Sequence, residues 1–399
     1  MKMNKKWHYV NFQMIYFIFV SGFGFFFPYF NVYLEQNLGF SGSEIGIIIS
    51  ISLLSSVAIS PLWGMISDRT GKYKLLLKAL LFVYAFVAWL LFQTTTLFFM
   101  IVFATIMEVV GIGMGPMLDV LAVDYCERTG KDFGKLRIAG SLGWIFGSYG
   151  AGFLMTYLLF DIRIVIFWPL IVFMILAGML AMFLPEAKKQ TETSDKNGTE
   201  TKLSARTLLK NKAFIFLMVF NFLTLALIDA VIAFAGNHLV LTLEAAPSVI
   251  GWMNVIAVLP EVIFFLFATR LMMRIGIKRF YIFSVLTLIL RFAVYATTEH
   301  VGLFLAIGAV GPMMMAVGGI GNFLFIKKHV KKGLIGTAFV INVAILTLGR
   351  AIFSLIFGVI YQWYGSFMLF KFSIVCVIVA LIILLLTKHF DVFDEEIIT

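Results

Sequence analysis

Hydrophobic and polar positions alternate along this chain in long blocks: runs of roughly 20 apolar residues separated by polar gaps a few residues long. A helical run of that length matches the hydrocarbon core of a bilayer. Helix is also the form that satisfies every backbone polar group within the run itself. The blocks predict helices over 9–35, 44–66, 75–93, 96–124, 136–159 and 164–184, then over 212–236, 247–269, 280–298, 301–325, 335–361 and 367–387. Between the two sets of six lies the one long polar stretch, 185–211, whose Lys, Thr, Glu and Asn content suits a solvated connector. The expected organisation is an N-terminal bundle over 1–184, a linker over 185–211, and a C-terminal bundle with a short tail over 212–399. The fold class is therefore an all-α integral membrane protein, with twelve transmembrane helices as two six-helix bundles.

Composition agrees: 61% of residues are hydrophobic and 13% charged, which excludes an ordinary water-soluble surface. Charge then labels the sides. All but four of the 31 Lys and Arg residues (Arg163, Arg291, Arg350 and Lys371) fall in gaps on one side of the series or in the terminal segments joined to it. That asymmetry places both termini in the cytoplasm of a multi-pass cell-membrane protein. The net charge of +10 reads as a face meeting anionic lipid headgroups, with no nucleic-acid partner implied. The first block is too long, and lacks the small-residue cleavage site, to be a removed leader. Cys126 and Cys376 lie far apart in sequence, so neither a disulfide nor a metal site is expected. No cofactor motif and no nucleophile–base constellation appears, so the chain does not read as an enzyme.

Ionisable residues inside a span are costly and mark ion pairs, ligand contacts or proton relays. This chain has Glu108, Asp119 and Asp124 on helix 4, Arg137 opening helix 5, Asp229 on helix 7, Glu261 on helix 8, Arg291 on helix 9 and Arg350 on helix 11. Arg163 and Lys371, near the outer ends, are expected to snorkel. Glu108 and Asp119 are about three turns apart and share a helix face, and Gly111, Gly113 and Gly115 between them admit a close neighbour. Depth counting pairs Glu261 with Arg291 and Asp229 with Arg350, either as structural locks or as ligand and proton groups. Burial disfavours the charged form of a carboxyl group. Glu108, Asp119, Asp229 and Glu261, with Arg291 and Arg350, are thus the candidates for handling a coupled proton. Helix 10 carries no ionisable residue, and Asn322 is its one strong hydrogen-bonding side chain. On helix 1, Phe25, Phe26, Phe27, Tyr29, Phe30 and Asn31 are candidates to line a cavity.

The turn after helix 2 reads Gly64-Met-Ile-Ser-Asp68-Arg69-Thr-Gly71-Lys72. It resembles the helix 2–3 signature of the major facilitator superfamily. Its glycines would allow a tight turn and close packing, and Asp68 would cap or pair with a neighbouring helix end and gate closure. Arg274-Ile-Gly276 echoes it two hundred residues on, with Met273 where an acid would be expected. A second stretch, Pro116-Met-Leu-Asp119 followed by Phe133-Gly134-Lys135-Leu136-Arg137-Ile-Ala-Gly140-Ser141-Leu-Gly143-Trp144, resembles the helix 4–5 hairpin of the lactose-permease family of oligosaccharide:proton symporters.

That resemblance implies that Asp119 accepts sugar hydroxyl bonds, Arg137 donates and orients the acid, and Trp144 stacks on a pyranose face. Ser141, Asp229 and Asn237 complete the implied binding set. Much of the hairpin is equally similar to the phenylpropionate-permease family, as are Pro260-Glu261 and Leu290-Arg291-Phe292. The implied function is uptake of a sugar or oligosaccharide with protons, by alternating access, in a monomer. Transport of an aromatic acid or nucleoside, and uncoupled facilitation or exchange, stay open as alternatives.

Overall fold

Helix ends in this chain coincide with residues built to end helices. Ser41 opens α2 (Gly42–Thr70) with a capping box: its hydroxyl accepts from the Glu44 N–H, and the Glu44 carboxylate accepts from the Ser41 N–H. Gly71 closes α2 at φ 64°, its N–H donating to the Ser67 carbonyl at 2.8 Å. Gly276 in the sequence echo also has a positive φ, 88°, but its ψ of 140° lies outside the left-handed helical region. A β-carbon strains the left-handed region. Gly71→Val is therefore expected to cost about 1–2 kcal/mol, read as a lower midpoint of thermal unfolding of the purified protein in detergent.

The computed structural model describes residues 5–186 and 205–390. Most of the predicted linker (187–204), the tail beyond 390 and Lys2 lie outside the described residues. All regular structure among those described is helical. The first set comprises α1 (Lys5–Gln36), α2, α3 (Tyr73–Gln93), α4 (Leu97–Thr129), α5 (Phe133–Tyr157) and α6 (Ile162–Ala181). The second begins with α7 (Lys212–Thr242), interrupted by π-turns at Phe222–Ala226 and His238–Thr242. It continues with α8 (Ser248–Ile275), α9 (Ile277–Tyr295) and α10 (Val301–His329). The predicted gap between the last two helices closes to a single residue. One helical run, Ile335–Leu386, is broken at Gly365 (φ 78°, ψ 172°) into α11 (335–364) and α12 (366–386).

Nine of these helices are long and apolar enough to span a membrane, or ten when the bent α8 is counted as one span, with α11 and α12 taken together as one. α8 bends by 44° near Pro260, where proline removes a backbone donor. α9 carries three basic residues, Lys278, Arg279 and Arg291, within 19 residues and is not among these spans.

The chain forms two compact units. The first holds α1 to α6 together with Leu239–Asn254, and the second holds the rest of α7 and α8 with α9 to α12. In the first, α1 packs against α5 and α6, α3 against α4 and α6, and α2 against α4. Glycine makes the α1–α5 seam. A β-carbon on Gly143 would strike the Phe17 carbonyl, one on Gly147 the Ser21 carbonyl, and one on Gly24 would lie 2.7 Å from the Trp144 carbonyl. Of the residues expected along a cavity, Phe25, Phe26, Phe30 and Asn31 are instead buried in this unit, and the buried Tyr29 also lines a cavity in it. Phe25 rests against Phe146 and Phe173, Phe26 against Phe167, and Phe27 alone of the six is exposed.

In the second unit α7 runs along α11, where a β-carbon on Gly349 would come to 2.7 Å from Ala226. Rings fill the rest of that core: Tyr295 stacks on Phe304 at 3.7 Å between centroids, with Phe370 beside them.

Candidate functional site

On α5 the spacing Arg137, Ser141, Trp144, Ser148 advances by four, three and four residues, so these side chains share one stripe. Gly140, Gly143 and Gly147 form the adjoining stripe that meets α1. The close seam brings α1 side chains against the Arg137–Ser148 stripe. Tyr16 of α1 donates its hydroxyl hydrogen to Asp119 Oδ1 in a short bond. The Arg137 guanidinium lies over the Tyr16 ring, 5.3 Å from its centroid. Arg137 Nε reaches Asp119 Oδ1 at 3.7 Å, so α1, α4 and α5 meet at one carboxylate oxygen.

The pair is not sealed. The Arg137 and Asp119 side chains keep 50% and 40% of their surface exposed. No described residue engages Asp119 Oδ2. An open carboxylate oxygen beside unused guanidinium N–H groups can accept from and donate to vicinal hydroxyls in one grip.

Trp144 is half-buried and anchored by its edge. Its Nε1–H donates to Asn254 Oδ1 at 3.0 Å, and the Asn254 amide donates onward to the Ile250 carbonyl at 2.9 Å. An edge bond leaves the two indole faces out of that contact, as a stacking platform requires. Ser141 is half-buried and lies one turn from both Arg137 and Trp144.

Neighbours of the α4 glycines are aromatic and aliphatic. β-carbons at Gly111 and Gly113 would meet Tyr84 at 3.1 Å and Trp63 at 3.0 Å, while Gly115 has open space beside it. Glu108 lies within electrostatic reach of Tyr84, so its surroundings differ from those of Asp119 despite their shared face. Asp124 pairs with Arg128 at the end of α4, outside the cluster.

In the second unit Asp229, Glu261, Arg291 and Arg350 do not close into ion pairs with one another. Arg291 is buried, but its Nε–H donates to the Tyr295 hydroxyl at 3.0 Å, and its head lies where a side chain on Gly311 would begin. It forms no ion pair with the half-buried Glu261, contrary to the depth count. Depth along two helices does not set their rotation about their own axes, and rotation decides the partner. Asp229 is exposed and lies within electrostatic reach of Arg350, without approaching to ion-pair distance. Arg350 Nε is buried without a hydrogen-bond partner among the described residues. Asn237 is fully buried at the end of the regular part of α7.

Asn322 of α10 is also buried. Its Oδ1 accepts from the Tyr281 hydroxyl at 3.5 Å, and Asn221 donates to Asn342 at 2.7 Å. Neutral amides thus occupy this core.

At the basic turn Asp68 accepts from the hydroxyl of Tyr73, the first residue of α3, at 2.8 Å. Arg69 and Lys72 are exposed, and Gly64 has no neighbour within 4 Å of where a side chain would begin. Arg163, expected to snorkel, directs its guanidinium to the Phe92 carbonyl and ring.

Sequence reasoning missed Tyr16 and Asn254. Tyr16 is one aromatic among many on α1, and Asn254 is one polar residue in an apolar run. Only their contacts distinguish them.

The family model described as MFS_1 like family matches residues 9–372. Among curated proteins the chain is similar to a maltose permease of Geobacillus stearothermophilus, 30% identical over 71% of this chain and 70% of the relative. It is also similar to a probable 3-phenylpropionic acid transporter of Escherichia coli (strain K12), 26% identical over 71% and 73%. Among solved structures, the crystal structure of the nucleoside transporter NupG superposes with a TM-score of 0.82 at 18% identity, over 97% of this chain and 100% of that one, a likeness of fold.

Proposed function

Because this chain belongs to the MFS_1-like family, we propose that it takes up a sugar or oligosaccharide together with protons, by alternating access across the cell membrane. The observation that carries the reading is the half-open Asp119–Arg137 pair clasped by Tyr16, with the edge-anchored Trp144 two turns along α5. A sugar ring offers hydroxyls along its rim and C–H groups on its faces. The rim suits the carboxylate and guanidinium, and a face suits the indole. A nucleoside ribose shares the hydroxyls, whereas an aromatic acid would use Arg137 and leave Asp119 repelling its carboxylate.

Asp119 is the first candidate for the coupled proton, with Glu108, Asp229 and Glu261 as further acids, since residues 301–326 of α10 carry no ionisable side chain. The Gly64–Lys72 turn and its echo at Arg274 serve as gating elements on the cytoplasmic side, where both termini lie. One chain suffices as the working unit.

The test is external pH in lightly buffered, de-energised vesicles bearing the protein. Maltose is expected to alkalinise the medium, and the Asp119→Asn protein to give no signal. A response to 3-phenylpropionate alone would assign the chain to aromatic-acid transport. Exchange of labelled maltose without a pH change would make it an uncoupled facilitator.

Trp144→Phe preserves an aromatic face but removes the bond to Asn254. A neutral hydrogen bond contributes about 1 kcal/mol. The half-saturating maltose concentration is therefore expected to rise about fivefold with little change in maximal rate, whereas Trp144→Ala should abolish saturable uptake.

A further inference from the structure

Away from the Asp119–Arg137 pair, the first unit contains a cavity of 390 Å³ at the end of its helices opposite the basic turns. Such a volume lies within the range of small-molecule sites, about 300–1,000 Å³. Its lining includes Gln36, Asn37, Asp161, Phe160, Val240 and Pro247. Irregular backbone surrounds it. Among the described residues only Leu159 (φ 55°) and Glu244 (φ 52°) are non-glycine residues with left-handed backbone. Leu159 immediately precedes Phe160 and Asp161, and Glu244 lies between Val240 and Pro247, so both are in wall segments of this one cavity. Val240 itself lies in the π-turn His238–Thr242, and π-turns concentrate at functional positions. Side-chain-bearing residues hold left-handed backbone only where their surroundings enforce it, and such residues cluster at ligand sites.

The chemistry selects a class of ligand. Two carboxamides, Gln36 and Asn37, and one carboxylate, Asp161, line the cavity together with Tyr29 and aliphatic side chains such as Val32, Ile162 and Val240. Asp161 Oδ1 is engaged by the Arg163 N–H at 2.8 Å. No Lys or Arg lines the cavity, and the Arg163 guanidinium is turned to Phe92. Acceptors, neutral donors and C–H contacts suit a neutral polyhydroxylated ring and disfavour a carboxylate or phosphate.

We propose that this cavity is a second solute site, which holds a neutral polyhydroxylated ring before it reaches Asp119 and Arg137. The proposal rests on the transport reading above, and its test separates the two. In a protein with Cys126 and Cys376 replaced by Ser, Val240→Cys reports on the cavity and Ser141→Cys on the Asp119–Arg137 site. Each is labelled with a maleimide in proteoliposomes, with maltose or uridine as the protecting solute. Gln36→Cys, at an exposed position, replaces Val240→Cys if the latter does not fold or label. The decisive background carries Arg137→Gln and Trp144→Ala, which remove the first site.

The proposal expects labelling of Val240→Cys to slow about tenfold at ten times the half-protecting concentration, in that background as in the intact one, and 3-phenylpropionate to give no protection. Protection that vanishes in the background, or that 3-phenylpropionate matches, overturns the second site. Protection at Ser141→Cys alone overturns it while the transport reading stands. Protection at neither position removes both.

Discussion

Asp119→Asn is expected to cut the initial rate of maltose uptake by about 10²–10³-fold while leaving the protein folded. Asparagine keeps the shape and an acceptor oxygen, so the Tyr16 hydroxyl retains a partner. What disappears is charge. The Arg137 guanidinium loses its counter-ion, and a solute hydroxyl loses an ionised acceptor. Each such charge-assisted bond contributes about 1.5–3 kcal/mol. Loss of one or two accounts for that fall in rate at about 1.4 kcal/mol per factor of ten. Stability should change far less. The pair is roughly half-exposed, and ion pairs in that setting contribute about 0–1 kcal/mol. Labelled-solute uptake in vesicles, with thermal unfolding of the purified protein alongside, separates the two effects. Uptake near the unsubstituted rate would place the binding carboxylate elsewhere, with Asp229 next in line.

Gly147→Val should have the largest effect on folding. The new β-carbon would meet the Ser21 carbonyl and lie 3.0 Å from both the Gly24 Cα and the Phe25 nitrogen, all main-chain atoms of α1. No rotamer relieves a clash with backbone, so α1 and α5 must separate. Overpacking typically costs about 1–3 kcal/mol where side chains can yield, and here the cost should exceed about 3 kcal/mol. Separation would also pull Tyr16 away from Asp119 and Arg137, because the same seam positions them. The expected result is little monodisperse protein in detergent and a thermal midpoint too low to measure. Gly115→Ala is the control. It has open space beside it and sits within α4, where alanine is favoured over glycine by about 1 kcal/mol. A Gly147→Val protein as stable as the Gly115→Ala one would disprove the seam.

Twelve helices and the short list of ionisable residues within them were legible in the one-dimensional pattern. Hydrophobic burial in a bilayer is close to a sum over residues of a single segment, so block length and basic-residue asymmetry suffice to find the spans. The hairpin from Pro116 to Trp144 is legible as one candidate site through its resemblance to the helix 4–5 hairpin of the lactose-permease family. Its members are close in sequence, and helical spacing alone puts Arg137, Ser141 and Trp144 on one stripe.

What lay beyond that pattern depends on how helices rotate and cross. Arg291 faces Tyr295 and not Glu261, Tyr16 clasps Asp119 from 103 residues away, and Trp144 is held by Asn254 at a separation of 110. Phe25, Phe26, Phe30 and Asn31 turned inward to the unit core, while Tyr29 reached a cavity wall and Phe27 stayed exposed. The α11–α12 junction narrowed to Gly365, and two strained residues in separate loops came to flank one cavity. A span's composition is nearly unchanged when its helix turns about its axis, so the sequence determined which segments enter the bilayer. Each side chain's partner changes completely on that turn, and only close packing of backbone against backbone, as at Gly143 and Gly147, selects it.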